Sequence, residues 1–147
     1  MKRKFLFIFL LLYMSFIFYL SSEPANISHS RNRKIIETVK ITTGKDIDKK
    51  VGRERLNFYV RKNAHFFLFM FLGSLSLLYI NHIKIKNKFL IAFIFCFLYA
   101  ISDEVHQYFV PGRGPRVMDV FIDSAGALIG ISFIKIINWK SKRIVVK

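Results

Sequence analysis

Four long apolar runs punctuate this chain: Phe5–Leu20, Phe66–Ile80, Phe89–Ile101 and Val117–Ile137. Each comes near the ~20 residues (range about 17–25) that a helix needs to cross hydrocarbon, once polar flanks complete the shorter runs. A single water-soluble core in a chain of 147 residues is too small to hide all four. The pattern predicts an all-α membrane protein, a bundle of about four transmembrane helices.

Polar punctuation divides the chain further. Lys2-Arg3-Lys4 precede the first run and Ser21-Ser22-Glu23-Pro24 follow it. A signal peptide would have an apolar region of about 7–15 residues and a small-x-small cleavage site, and no clean site follows here. Residues 1–22 therefore read as an uncleaved first span, of the signal-anchor kind, with a cleaved signal peptide as the alternative, and Pro24 stops its helix. Residues 23–60 read as a polar basic loop in which Ile35, Ile36 and Val39 have helical spacing, predicting a short interfacial helix. Residues 61–138 hold the other three spans as one core. Asn81–Lys88 forms a tight basic turn inside it, and Pro111-Gly112-Arg113-Gly114-Pro115 forces a break between the third and fourth spans. Residues 139–147 form a basic tail.

Composition sharpens the picture. The chain is 53% hydrophobic with 17 phenylalanines, and its net charge is 24 − 9 = +15. Nucleic acid is not the expected partner: the chain has no RNA-binding signature and no zinc-finger spacing. Lys2, Arg3 and Lys4, then Lys84, Lys86 and Lys88, then Lys140, Lys142, Arg143 and Lys147 instead flank the apolar runs, as contacts to anionic lipid do. Cys96 is the lone cysteine and lies mid-span, which excludes an internal disulfide and argues against a thiol nucleophile. Residues 23–60 are also basic, so a raw count of charges does not set the orientation. Charge density at the ends of the first span favours an inside N-terminus, and four spans then put both termini in the cytoplasm.

Against this background, Ser102-Asp103-Glu104-Val105-His106-Gln107 is expensive. A charge at membrane depth costs several kcal/mol and normally faces a bundle interior or a polar cavity. If the third helix enters at Lys88, Asp103 lies ~22 Å along a layer ~30 Å thick. His106 and Gln107, three and four residues on, share its face. In the fourth helix Arg116, Asp119, Asp123, Gly126 and Gly130 form one stripe, and Gly126 to Gly130 is a GxxxG pattern that lets helices approach closely. The second helix is expected to begin with Lys62 and His65. All these groups then converge at one depth, near the outer surface.

The convergence nominates His65, Asp103, Glu104 and Asp123 as acid–base groups, because imidazole and carboxylate together can move protons. Lys62, Gln107, Arg113, Arg116 and Asp119 are nominated as substrate-binding groups, the two arginines for phosphate. Salt bridges that merely close the bundle, and arginines that merely anchor headgroups, are the plainer readings of the same residues. His65, Asp103, Glu104, His106, Asp119 and Asp123 include metal-ligand types, but no ligand-spacing motif unites them, so neither metal nor cofactor is expected.

The same residues resemble a known family. Arg61-Lys62-Asn63-Ala64-His65-Phe66, then Gly73, then Ser102-Asp103-Glu104-x-His106-Gln107-Tyr108-Phe109-Val110-Pro111-Gly112-Arg113, then Asp119-x-x-x-Asp123-x-x-Gly126-x-x-x-Gly130 are similar to the VanZ-like membrane proteins, in order, across roughly residues 60–130. The founding member of that family is associated with resistance to the glycopeptide teicoplanin. The resemblance implies a multi-pass protein of the bacterial cytoplasmic membrane, acting in the cell envelope. It supplies no reaction. Three functions stay open: an enzyme acting on a lipid-linked envelope molecule, a non-catalytic headgroup binder that modulates the envelope, and a small proton-coupled transporter. Membrane lipids or lipid-linked cell-wall molecules are the expected partners.

Overall fold

The computed structural model describes residues 2–43, 52–114 and 116–145. Residues 44–51 of the expected basic loop, Pro115 and the last two residues of the tail lie outside them. Every regular element among the described residues is a helix: α1 Lys2–Ser21, α2 Ala25–Thr43, α3 Arg53–Ile80, α4 Lys88–Tyr108 and α5 Val117–Val145. Four of these contain stretches long and apolar enough to cross a membrane: Lys2–Ser21, Arg55–Ile80, Lys88–Tyr108 and Val117–Trp139. The expected four-helix membrane bundle is what forms.

Segment 23–60 carries more helix than its polarity suggests. Pro24 ends α1, and its carbonyl accepts the Ser28 N–H at 3.1 Å as α2 begins. The 19 residues of α2 exceed the short interfacial helix expected from Ile35, Ile36 and Val39. It rests on α3 through polar groups: Ser28 and Asn32 are buried, and the Asn32 amide reaches the Asn57 carbonyl at 3.4 Å. Its Ile27, Ile35 and Ile41 face outward. Helix α3 also starts earlier than expected, at Arg53 after Gly52 (φ 81°), rather than at Lys62. No proline or glycine interrupts residues 53–61, so the helix runs on past its apolar stretch. Its 28 residues span ~42 Å at 1.5 Å each, more than the hydrocarbon requires.

Two apolar clusters fill the interior. Leu10, Ile17, Phe69, Leu72, Leu75, Cys96, Ala100 and Ala127 form the larger, and Leu77, Ile80, Ala92 and Ile131 the smaller. Large apolar side chains such as Phe5, Leu12, Phe67, Leu98, Phe121 and Phe133 cover the outside. That inverted coat suits lipid, where packing and hydrogen bonds rather than water exclusion hold helices together. The Tyr13 hydroxyl donates to the Leu68 carbonyl at 3.0 Å and the Tyr99 hydroxyl to the Met14 carbonyl at 2.7 Å, tying α1 to α3 and α4.

Glycine sets the closest contact. A Cβ on Gly126 or Gly130 would run into the Phe66 and Met70 carbonyls of α3, and one on Gly73 into the Ala127 carbonyl of α5. The GxxxG pattern of α5 is therefore the surface that meets α3, backbone against backbone. This contact places the N-terminal part of α5 beside residues 62–66 of α3.

Candidate functional site

At the end of the bundle where α1 and α4 finish and α5 starts, the polar side chains gather inside. Asp103 and Asp123 are almost completely buried, at 1% and 2% exposure, and Lys62, Glu104, Gln107 and Arg113 are buried too. His65 of α3 stands between the two aspartates, its Nδ1 3.6 Å from Asp123 Oδ2 and 3.9 Å from Asp103 Oδ2. The second of these oxygens is well supplied: Ser21 Oγ donates to it at 2.9 Å and Gln107 Nε2 at 2.8 Å. Lys62 and Asp119, one turn from His65 and Asp123 respectively, form an ion pair. Glu104 accepts the backbone N–H of Arg116, which joins the end of α4 to the start of α5.

The adjacent loop has its own structural logic. Gly112 takes φ 75°, and a Cβ there would meet Ala25 Cβ at 3.0 Å. The turn sends Arg113 back under α1, where Nε donates to the Glu23 carbonyl at 2.8 Å and Nη2 to the Leu20 carbonyl at 3.2 Å. A guanidinium is well placed there, because the carbonyls at a helix C-terminus carry partial negative charge. Burial first, then the nearby Arg61, lower the Arg113 pKa from its ordinary value, while Asp103 and Glu23 oppose that shift. Its Nη1 is buried and has no partner.

The nine nominated residues therefore separate into groups. His65, Asp103, Asp123 and Gln107 meet directly, and the Lys62–Asp119 pair flanks them. Glu104 serves a backbone N–H. The arginines part company: Arg113 caps α1, while the exposed Arg116 lies over the Phe58 ring at 5.4 Å. His106, three residues after Asp103 on the same face of α4 as Gln107, makes its contacts elsewhere. It stacks on Phe18 (centroids 3.9 Å apart) and lies 3.0 Å from Ser22 Oγ. Ser21 and Arg61 stand in the segments quoted above but were not nominated for the site. The signal for Ser21 was present, since Ser21-Ser22 ends the first apolar run at the depth where the other polar groups gather.

Three spaces adjoin the cluster. One, of about 10 Å³, is bounded by Arg61, Lys62, His65, Gln107, Asp119 and Asp123. A second, about 190 Å³, lies between α2 and α3 and carries Arg31, Asn32, Arg61, His65 and Arg113 on its walls. The third is an apolar groove of about 680 Å³ between α4 and α5, lined by Phe97, Ile101, Tyr108 and Phe121 among others, with Glu104 and Arg116 on the same wall. His65 and Arg61 border both of the first two spaces.

A helical bundle with four membrane-length helices and a buried cluster of acids, histidine and lysine at one end defines a multi-pass membrane protein with a built polar site. The family model for VanZ/LLP1 matches residues 5–138, nearly the whole chain. The protein belongs to that family. No curated protein and no solved structure gave a match.

Proposed function

We propose that this protein handles a lipid-linked, anionic molecule of the bacterial cell envelope at the outer leaflet of the cytoplasmic membrane, with both termini inside. The observation that carries the reading is the cavity of about 190 Å³ in which Arg31, Arg61 and Arg113 share a wall with His65. Arginine is the side chain best suited to phosphate, and the buried Nη1 of Arg113 has a donor to spare. The apolar groove between α4 and α5 supports a ligand with a hydrocarbon tail, since its lining is apolar except near Glu104 and Arg116. In this reading Arg61 and Arg113 hold the headgroup. His65, with Asp103 and Asp123 beside it, exchanges a proton with it. Lys62, Asp119, Glu104, Gln107 and Arg116 keep the helix ends in register around it. A contribution to teicoplanin-type resistance follows from the family and from a ligand of this class.

The test is teicoplanin susceptibility of a sensitive Gram-positive host carrying the intact protein or its His65→Ala, Asp103→Asn or Asp123→Asn variants at matched membrane levels. Protection that is lost in all three variants supports chemistry at the cluster. Graded loss in the aspartate variants favours headgroup binding without chemistry. No protection from the intact chain, together with no lipid phosphate co-purifying with it, refutes the reading.

A further inference from the structure

The acid cluster does not close on itself. His65 Nδ1 lies 3.6 and 3.9 Å from the carboxylate oxygens that face it, beyond hydrogen-bonding distance. Ligand atoms of His65, Asp103 and Asp123 all fall within 4.8 Å of one another. Independently, Oδ1 of Asp103 and Oδ1 of Asp123 are buried without any partner. A buried polar atom left unpaired costs about 1–3 kcal/mol, more when charged, so two in adjacent side chains call for an occupant.

Two ligands each ~2.0–2.2 Å from one ion stand roughly 3–4 Å apart. The separations around His65, 3.6 and 3.9 Å, fall in that range. Neighbouring charges point the same way. Lys62 is held by Asp119, which leaves His65 as the one basic side chain within 4 Å of Asp103 and Asp123 among the described residues. We propose that His65 Nδ1, Asp103 and Asp123 hold one divalent transition-metal ion. One imidazole with two carboxylates suits Zn²⁺ or Mn²⁺, and three protein ligands leave an open coordination position, as in catalytic rather than structural sites. The adjoining space of about 10 Å³ admits about one water-sized group at that position. Ser21 and Gln107, both donating to Asp103, orient the ligand carboxylate from outside. The three ligands come from three helices, which is why no spacing motif announces them.

The site can be tested without knowing the lipid. Full-length protein in detergent is stripped with a chelator, dialysed against Zn²⁺ or Mn²⁺, and its metal is counted by elemental analysis. One retained ion per chain is expected, with affinity at least tenfold lower in His65→Ala and in Asp123→Asn. Glu23→Gln, which alters a partly buried carboxylate paired with Arg31 outside the cluster, retains the ion. Because a site variant can also fail by misfolding, the intact chain loaded with Mn²⁺ is examined by electron paramagnetic resonance for nitrogen coupling from an imidazole ligand. No retained ion in the intact chain, no nitrogen coupling, or equal loss in Glu23→Gln overturns the proposal. Susceptibility and lipid co-purification remain separate measurements, so a failure here is distinguishable from failure of the proposed function.

Discussion

Replacing Gly126 by alanine adds one methyl group at the closest approach of α3 and α5. The new Cβ would collide with the Phe66 carbonyl oxygen and lie 3.1 Å from Phe66 C and 3.3 Å from Met70 N. All are backbone atoms, so no side-chain rotation relieves the contact, and one helix must move. Two effects oppose each other. Alanine is the better helix former by about 0.8–1.0 kcal/mol. Overpacking a fitted contact costs about 1–3 kcal/mol, and an immovable backbone neighbour puts this position at the upper end. The balance is a destabilisation of about 2 kcal/mol. The effect reaches the site, because Phe66 follows His65 directly and Asp123 lies one turn before Gly126, so parting the helices lengthens the 3.6 Å His65–Asp123 separation. Thermal unfolding of the purified chain in detergent, followed by circular dichroism, provides the readout. Gly114→Ala is the control, since nothing lies within 4 Å of a Cβ there. Gly126→Ala should unfold at a clearly lower temperature and Gly114→Ala close to the parent. A Gly126→Ala variant as stable as the parent, or more so, would mean that helix propensity alone decides and that the helices do not meet as described.

Three further outcomes follow from the same contacts. Lys62→Met alone strands Asp119 inside the bundle and should cost about 3–5 kcal/mol in denaturant titrations, whereas Lys62→Met combined with Asp119→Leu should recover most of the loss. Arg113→Ala removes both hydrogen bonds to the end of α1 and should cost about 1.5–3 kcal/mol; Arg113→Lys, without the planar fork, should restore only part, as measured by thermal unfolding. Gly112→Ala should lose about 1–2 kcal/mol through its left-handed backbone, with more from contact with Ala25, and should make the loop more sensitive to limited proteolysis.

The spans were legible in the sequence because length and apolarity are what hydrocarbon demands, and both are local properties. That α5 packs closely against another helix was legible for a related reason, though not that the partner is α3: Gly126 and Gly130 recur at the spacing of one helix face, and small residues on such a face mark where another backbone comes close. Helix α2 was less legible. Its buried positions are the polar Ser28 and Asn32, while Ile27, Ile35 and Ile41 are exposed and Ile36 is only half-buried, so apolar periodicity is a poor guide to the face that packs. The true start of α3 was hidden because residues 53–61 are polar, and a hydropathy reading stops where apolarity stops even though the backbone continues to coil.

The site depended on a partner that sequence cannot orient. Asp103, His106 and Gln107 share one face of α4, and that spacing alone predicts a common environment. Yet Gln107 turns to Asp103 while His106 stacks on Phe18 of α1. Helix α1 divides the face because its C-terminus lies against α4, putting Ser21 on Asp103 and Ser22 on His106. Arg113 holds that terminus in place from the loop beyond α4. The first span is therefore more than an anchor. It donates to the carboxylate that His65 faces, and the two arginines that look equivalent in the sequence differ because only Arg113 finds the open carbonyls of α1. A chain that begins after Ser22 would keep every acidic residue of the cluster and lose the hydroxyl that orients Asp103.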